Sequence, residues 1–110
     1  MNYESMSDFE VNKAVSVNLG VSVDDGPFLD YQEANKPRVP VKQECPVHRW
    51  VDYCNNPADA WSIILDNKIN ICFGSELATA KAFTENKLIE VVNKNPLRAA
   101  MIVFLMMSEQ

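Results

Sequence analysis

Between Asn95 and Met107 the chain reads Asn-Pro-Leu-Arg-Ala-Ala-Met-Ile-Val-Phe-Leu-Met-Met, and after Arg98 no charged side chain follows until Glu109. Asn95 is a good N-cap, and Pro96 suits the first helical position, where its missing N–H is no loss. The spacing therefore predicts a helix through Met107. On a helical wheel Leu97, Ala100, Met101, Phe104 and Leu105 cover one side, while Ala99, Ile102, Val103 and Met106 cover much of the other. A helix apolar on all sides must be covered on all sides. The apolar run from Ala99 to Met107 falls well short of the ~20 residues that cross a bilayer, so the cover has to be protein. One face can lie on a sheet. The other needs further helices of the same chain or a second subunit, and a homodimer would form through Ala99, Ile102, Val103 and Met106.

The remaining sequence must supply that cover, and 110 residues make one domain, residues 1–110, with one core. Ser7-Asp8-Phe9-Glu10 is a capping box: the Ser7 hydroxyl can accept from the N–H three residues on while Glu10 reaches back to the N–H of Ser7. Met6 and Val11 stand where an apolar pair clamps the chain entering a helix. Val11, Val15 and Leu19 then recur on one face, and Gly20 can close the helix in the left-handed conformation. Asn56, Pro57 and Asp59 coincide as start signals for a second helix, whose stripe of Pro57, Ala60, Trp61, Ile64 and Leu65 is expected in the core.

Val47 to Tyr53, rich in aromatic and β-branched residues, reads as a strand, and Ile69 to Phe73 alternates as a strand should. Leu77 to Phe83 fits a helix by its alanines and a strand by its alternation. The turn residues Thr84 to Lys87 and the β-branched run Leu88 to Val92 favour a hairpin over 77–92. Together these elements predict an α+β fold, about three helices packed on a small antiparallel sheet. An Asp24-Asp25-Gly26 turn suggests a further hairpin between Val21–Val23 and Phe28–Tyr31. The prolines at 37, 40 and 46 favour an extended, acidic loop around 24–46, expected to be the most mobile part of the chain.

Charge and cysteine usage narrow the function. A net charge of −5 and a pI near 4.7 disfavour nonspecific binding to nucleic acid or to anionic membrane, which need clustered Lys and Arg. The acid excess lies in the N-terminal half, and its carboxylates are too scattered to imitate phosphate spacing. The start of the chain lacks a basic and apolar secretory signal, and three cysteines form an odd set, which together point to a cytoplasmic protein with reduced thiols. Cys45, His48, Cys54 and Cys72 are the residue types that hold zinc, but only Cys45 and His48 make a short knuckle, so ordinary thiols and an ordinary histidine are the expectation. A nucleophile mechanism would rest on His48, the only histidine, with Cys45 or Cys54 as nucleophile and Asp52 as orienter. No glycine-rich phosphate loop or other catalytic motif accompanies them, and nothing in the sequence calls for a cofactor. The segment Pro37-Arg-Val-Pro40 has polyproline-ligand spacing and is read as plain linker. Phe9, off the stripe of its helix, and Trp50, with no evident place in the core, are the candidate anchors for a partner protein.

Three blocks carry a resemblance: Met6-Ser-Asp-Phe-Glu-Val-Asn-Lys-Ala-Val15, Tyr53-Cys-Asn-Asn-Pro-Ala-Asp-Ala-Trp-Ser-Ile-Ile64, and Asn95 to Met107. In this order they resemble the NinX family, small proteins of lambdoid bacteriophages and of prophages in enteric bacteria, encoded in the nin region. The resemblance implies a phage-encoded protein in the bacterial cytoplasm, accessory rather than structural in the virion. It brings with it no catalytic residue and no cofactor. The expectation is a non-catalytic module that binds a host or phage protein; the alternative is an enzyme or zinc-dependent regulator built on Cys45, His48 and Cys54.

Overall fold

The computed structural model describes residues 2–21, 39–41, 49–85 and 87–109. A 3-10 turn over Tyr3–Ser5 leads into α1 (Asp8–Asn18); two short strands, β1 (Val39–Val41) and β2 (Arg49–Val51), precede α2 (Pro57–Asp66). Three strands follow, β3 (Asn70–Phe73), β4 (Ala78–Phe83) and β5 (Leu88–Asn93), and the chain ends in α3 (Pro96–Ser108). The strands β3, β4 and β5 form one antiparallel sheet in that order, and β1 pairs with β2 separately. Among the described residues the architecture is thus α+β, with three helices and a small antiparallel sheet.

The helix starts follow the expected chemistry. The Ser7 hydroxyl accepts from the Glu10 N–H at 3.1 Å while Glu10 accepts from the Ser7 N–H, completing the capping box. Asn56 caps α2 by accepting from the Ala58 N–H, and Asn95 caps α3 by accepting from Leu97 and Arg98. Gly20 ends α1 at φ +77, and the Val21 N–H bonds back to the Ser16 carbonyl, so the left-handed residue is where a glycine was expected.

Helix α3 is the centre of the molecule. Every residue from Arg98 to Leu105 is buried. Its cover comes from this chain: the sheet on one side, with α1 and α2 packed against it elsewhere. Ala99 and Val103 are 0% exposed and Ile102 1%, so they have no face to offer a second subunit; Met106 is half-buried at the rim. Of the two ways to cover an all-apolar helix, the chain uses its own elements.

The hairpin over 77–92 forms as β4 and β5, with Ala80 opposite Val91 and Ala82 opposite Ile89. Ala78, Ala80 and Ala82, 3% exposed or less, are the inward face of β4. Alanine is a weak strand former, but short side chains let the broad α3 approach the sheet, and packing overrides propensity. The β3–β4 turn depends on Gly74, whose N–H donates to the Leu77 carbonyl at 2.8 Å; a Cβ there would stand 2.6 Å from that oxygen.

Three expectations are corrected. The Pro-containing stretch carries a strand, β1, with Val39 fully buried, because extended backbone next to β2 finds partners in Val51, Trp50 and Arg49. On α1 the buried face is Val11, Asn12, Val15 and Ser16, and Leu19 is 41% exposed. On α2 the buried residues are Ala60, Ile63 and Ile64, whereas Trp61 and Leu65 are 59% and 55% exposed. Helix α2 packs with one narrow strip, centred nearer Ile63 than the expected stripe, and Trp61 is turned outward. The expected hairpin over 21–31 and the rest of the acidic loop lie outside the described residues.

Candidate functional site

Polar groups converge where the start of α1, the turn after β2 and the start of α3 meet. Asn12 is fully buried, accepts from the Cys54 N–H at 3.1 Å, and donates to Asp52 at 2.8 Å. Asn55 donates to both oxygens of Asp52 at 3.1 Å and to Asp8 at 3.3 Å. Asn95 donates to the Cys54 carbonyl at 2.6 Å and to Asn55 at 3.2 Å. Arg98, 9% exposed, pairs with Asp8 at 2.7 Å and donates to the carbonyls of Tyr3, Glu4 and Met6, so one side chain of α3 fixes the whole entry to α1. Each group in this junction satisfies another. Its evident work is architectural, since buried polar groups left unpaired would cost free energy.

The junction also sets the surroundings of Cys54 and Asp52. Burial, then the negative charge of Asp8, pushes the Cys54 thiol far above its ordinary range, so it is protonated at neutral pH and a poor nucleophile or metal ligand there. Asp52 is engaged by Asn12 and Asn55. Cys72 lies apart, exposed on β3. Cys45 and His48 lie outside the described residues, among which no group of three or more His, Cys, Asp or Glu is gathered as a metal would need.

Of the two expected anchors, Phe9 is half-buried against the core and lines a groove of about 560 Å³ with Met6, Ala14 and Val17. The backbone of Trp50 pairs with Pro40 in β2; its side chain lies outside the described residues.

The apolar surface that the sequence reading missed lies between α2 and β3. Trp61, Leu65 and Phe73 are 59%, 55% and 76% exposed, and with Ile64, Ile69, Ile71 and Lys68 they line an open groove of about 530 Å³. The signal was present. Pro57, Ala60, Trp61, Ile63, Ile64 and Leu65 span more of the wheel than one neighbouring helix can cover. The groove also borders the free long edge of β3, an edge strand among the described residues. Lys68 closes its end with φ +53, left-handed backbone at the C-terminus of α2 where glycine is the usual residue.

This fold is shared with a phage protein. A 2.0 Å crystal structure of a phage protein from Bacillus cereus ATCC 14579 superposes with a TM-score of 0.69 over 96% of this chain and 95% of that one, at 13% identity. At that identity the likeness concerns the fold. No curated protein matches the chain significantly. Residues 2–108 match the family model of NinX of bacteriophage P22, and the chain belongs to that family. The three blocks that carried the resemblance supply Asp8, Asn12, Cys54, Asn55, Asn95 and Arg98 to the polar junction. No helix among the described residues is long and apolar enough to cross a membrane.

Proposed function

We propose that the chain is a non-catalytic phage accessory protein that binds a host or phage protein in the bacterial cytoplasm, and that the α2–β3 groove is where it binds. The observation that carries this reading is the exposure of Trp61, Leu65 and Phe73 side by side. Single exposed apolar residues need no explanation, but a contiguous aromatic patch bordered by polar residues is what partner-binding surfaces present, and Trp is among the side chains most often dominant in them. The protonated, buried Cys54 and the fully engaged Asp52 support binding over catalysis. The test is affinity capture from phage-carrying bacteria with the wild-type chain and with Trp61→Glu. The wild type is expected to retain proteins that the variant loses while both remain folded by circular dichroism; identical captured sets would contradict the reading.

A further inference from the structure

The groove is half a helix wall and half a strand edge, and the strand edge says what kind of partner fits. The Gly74 N–H bonds to the Leu77 carbonyl, which makes 74 and 77 a hydrogen-bonded pair. Counting back along the register, Cys72 with Thr79 and Asn70 with Lys81 are the further bonded pairs, because bonded and non-bonded pairs alternate in an antiparallel ladder. The N–H and C=O groups of Ile71 and Phe73 therefore point away from β4, along an edge with which no described residue pairs. The side chains of the same two residues line the groove with Trp61 and Leu65.

Sheet edges normally carry a device against pairing. By the same count, β5 turns the backbone of Leu88, Glu90 and Val92 outward, with Glu90 on that edge and Lys87 and Lys94 flanking it. Edge β3, Asn-Ile-Cys-Phe, has neither charge nor proline, and α2 stands beside it with its exposed Trp61 and Leu65.

Resting on the protein-binding reading above, we propose that the partner contributes an extended segment that adds to the sheet as a fourth strand, antiparallel to β3 and beneath α2. Its backbone pairs with Ile71 and Phe73, and the two residues opposite them, being on the same face, are apolar and fill the groove under Trp61 and Leu65. Lys68, exposed and with no ion pair among the described residues, meets an acidic residue on the C-terminal side of that segment. The left-handed backbone of Lys68 belongs to the C-terminal cap of α2, where the Ile69 N–H bonds to the Ile64 carbonyl and the Lys68 N–H to the Leu65 carbonyl, and that cap sets the lysine at the mouth of the groove.

Size favours a segment over a second copy. The exposed parts of Trp61, Leu65 and Phe73 amount to roughly 300–400 Å², about half of the ~800 Å² per partner of a stable interface.

The test uses the full chain and a displayed library of random linear dodecapeptides as probe. Enriched peptides are expected to carry apolar residues at alternate positions and an acid on their C-terminal side, to lose at least tenfold in affinity to Phe73→Glu, and to slow amide exchange at Ile71 and Phe73 while leaving Leu88, Glu90 and Val92 unchanged. Methylating alternate peptide nitrogens should abolish binding. Peptides that bind without protecting Ile71 and Phe73, or a library that yields no binder sensitive to Phe73→Glu, would overturn strand addition. So would concentration-dependent protection of those amides in the protein alone, which would mean a second copy. If strand addition fails while Trp61→Glu still abolishes capture from cells, the protein-binding reading stands by a different geometry; if capture is unaffected too, both fall.

Discussion

Asn12 shows how much a single polar residue can carry in this chain. With no exposure, its amide oxygen takes the Cys54 N–H and its amide nitrogen serves Asp52, tying α1 to the turn ahead of α2. Asn12→Ala leaves that N–H buried without a partner, and should lower the free energy of unfolding in urea by about 2–3 kcal/mol. Lys68 has the opposite sign. Replacing it by glycine relieves left-handed backbone, so Lys68→Gly should raise the free energy of unfolding by about 1 kcal/mol, seen as a higher midpoint in thermal denaturation. Residues of these two kinds differ in how far the sequence disclosed them. Caps such as Ser7, Asn56 and Asn95 are local, their partners two or three positions away, and each was legible. Asn12 and Ser16 were not, because what permits their burial is Cys54, Asp52 and Tyr53, some forty residues distant.

Among the elements, β4 is the one whose sequence is most divided. Its alanines favour a helix by propensity, and only the alternation and the following turn residues indicate a strand. The structure gives the reason for the alanines: α3 lies across their face. Ala80→Leu would force extra volume into that contact and should cost about 1–3 kcal/mol, whereas Thr79→Val, on the other face of the same strand, should change stability by less than about 1 kcal/mol; paired urea titrations distinguish the two. Helix α2 was legible in its limits and not in its rotation. A wheel ranks faces by hydrophobicity, and on α2 the apolar arc is wider than the surface available to cover it. Lack of charge marked α3 as a helix in need of cover, whereas α2 carries Asp59, Ser62 and Asp66, and its surplus of apolar surface stayed exposed as Trp61 and Leu65. The candidate site was missed for that reason.

At the scale of the molecule, the two ends are joined. Tyr3, in the first turn, donates to Glu109 beyond the end of α3, and Arg98 holds the carbonyls of the same first turn. Burial, the hydrogen bond to Glu109 and its charge push the Tyr3 phenol up from 10.0 to about 12. A phenol whose value is raised on folding stabilises the folded state fully below pH 10 and ceases to do so as the pH rises through about 12. The wild type should accordingly lose stability between pH 10 and 12 more steeply than Tyr3→Phe, by thermal denaturation of the two chains in parallel. The α+β class was legible because the three helix starts and the strands β2, β3 and β5 announce themselves locally; β1, inside the Pro-containing stretch, did not, and β4 did so only through its alternation and the turn after it. Which surfaces remain after packing is a property of the assembled whole: Phe9 lines one groove, and Trp61, Leu65 and Phe73 stand exposed at another that local patterning did not disclose.

That exposed groove is the central claim, and it can be tested in the cell. A photo-crosslinking amino acid is placed at position 73, in the groove, and in a second protein at position 85, in the β4–β5 turn, which is not among the residues lining it. On irradiation of phage-carrying bacteria, position 73 is predicted to give discrete crosslinked species heavier than the chain, absent from position 85 and lost when Trp61→Glu is added. Equal crosslinking from both positions, or none from position 73, would contradict a partner-binding groove between α2 and β3.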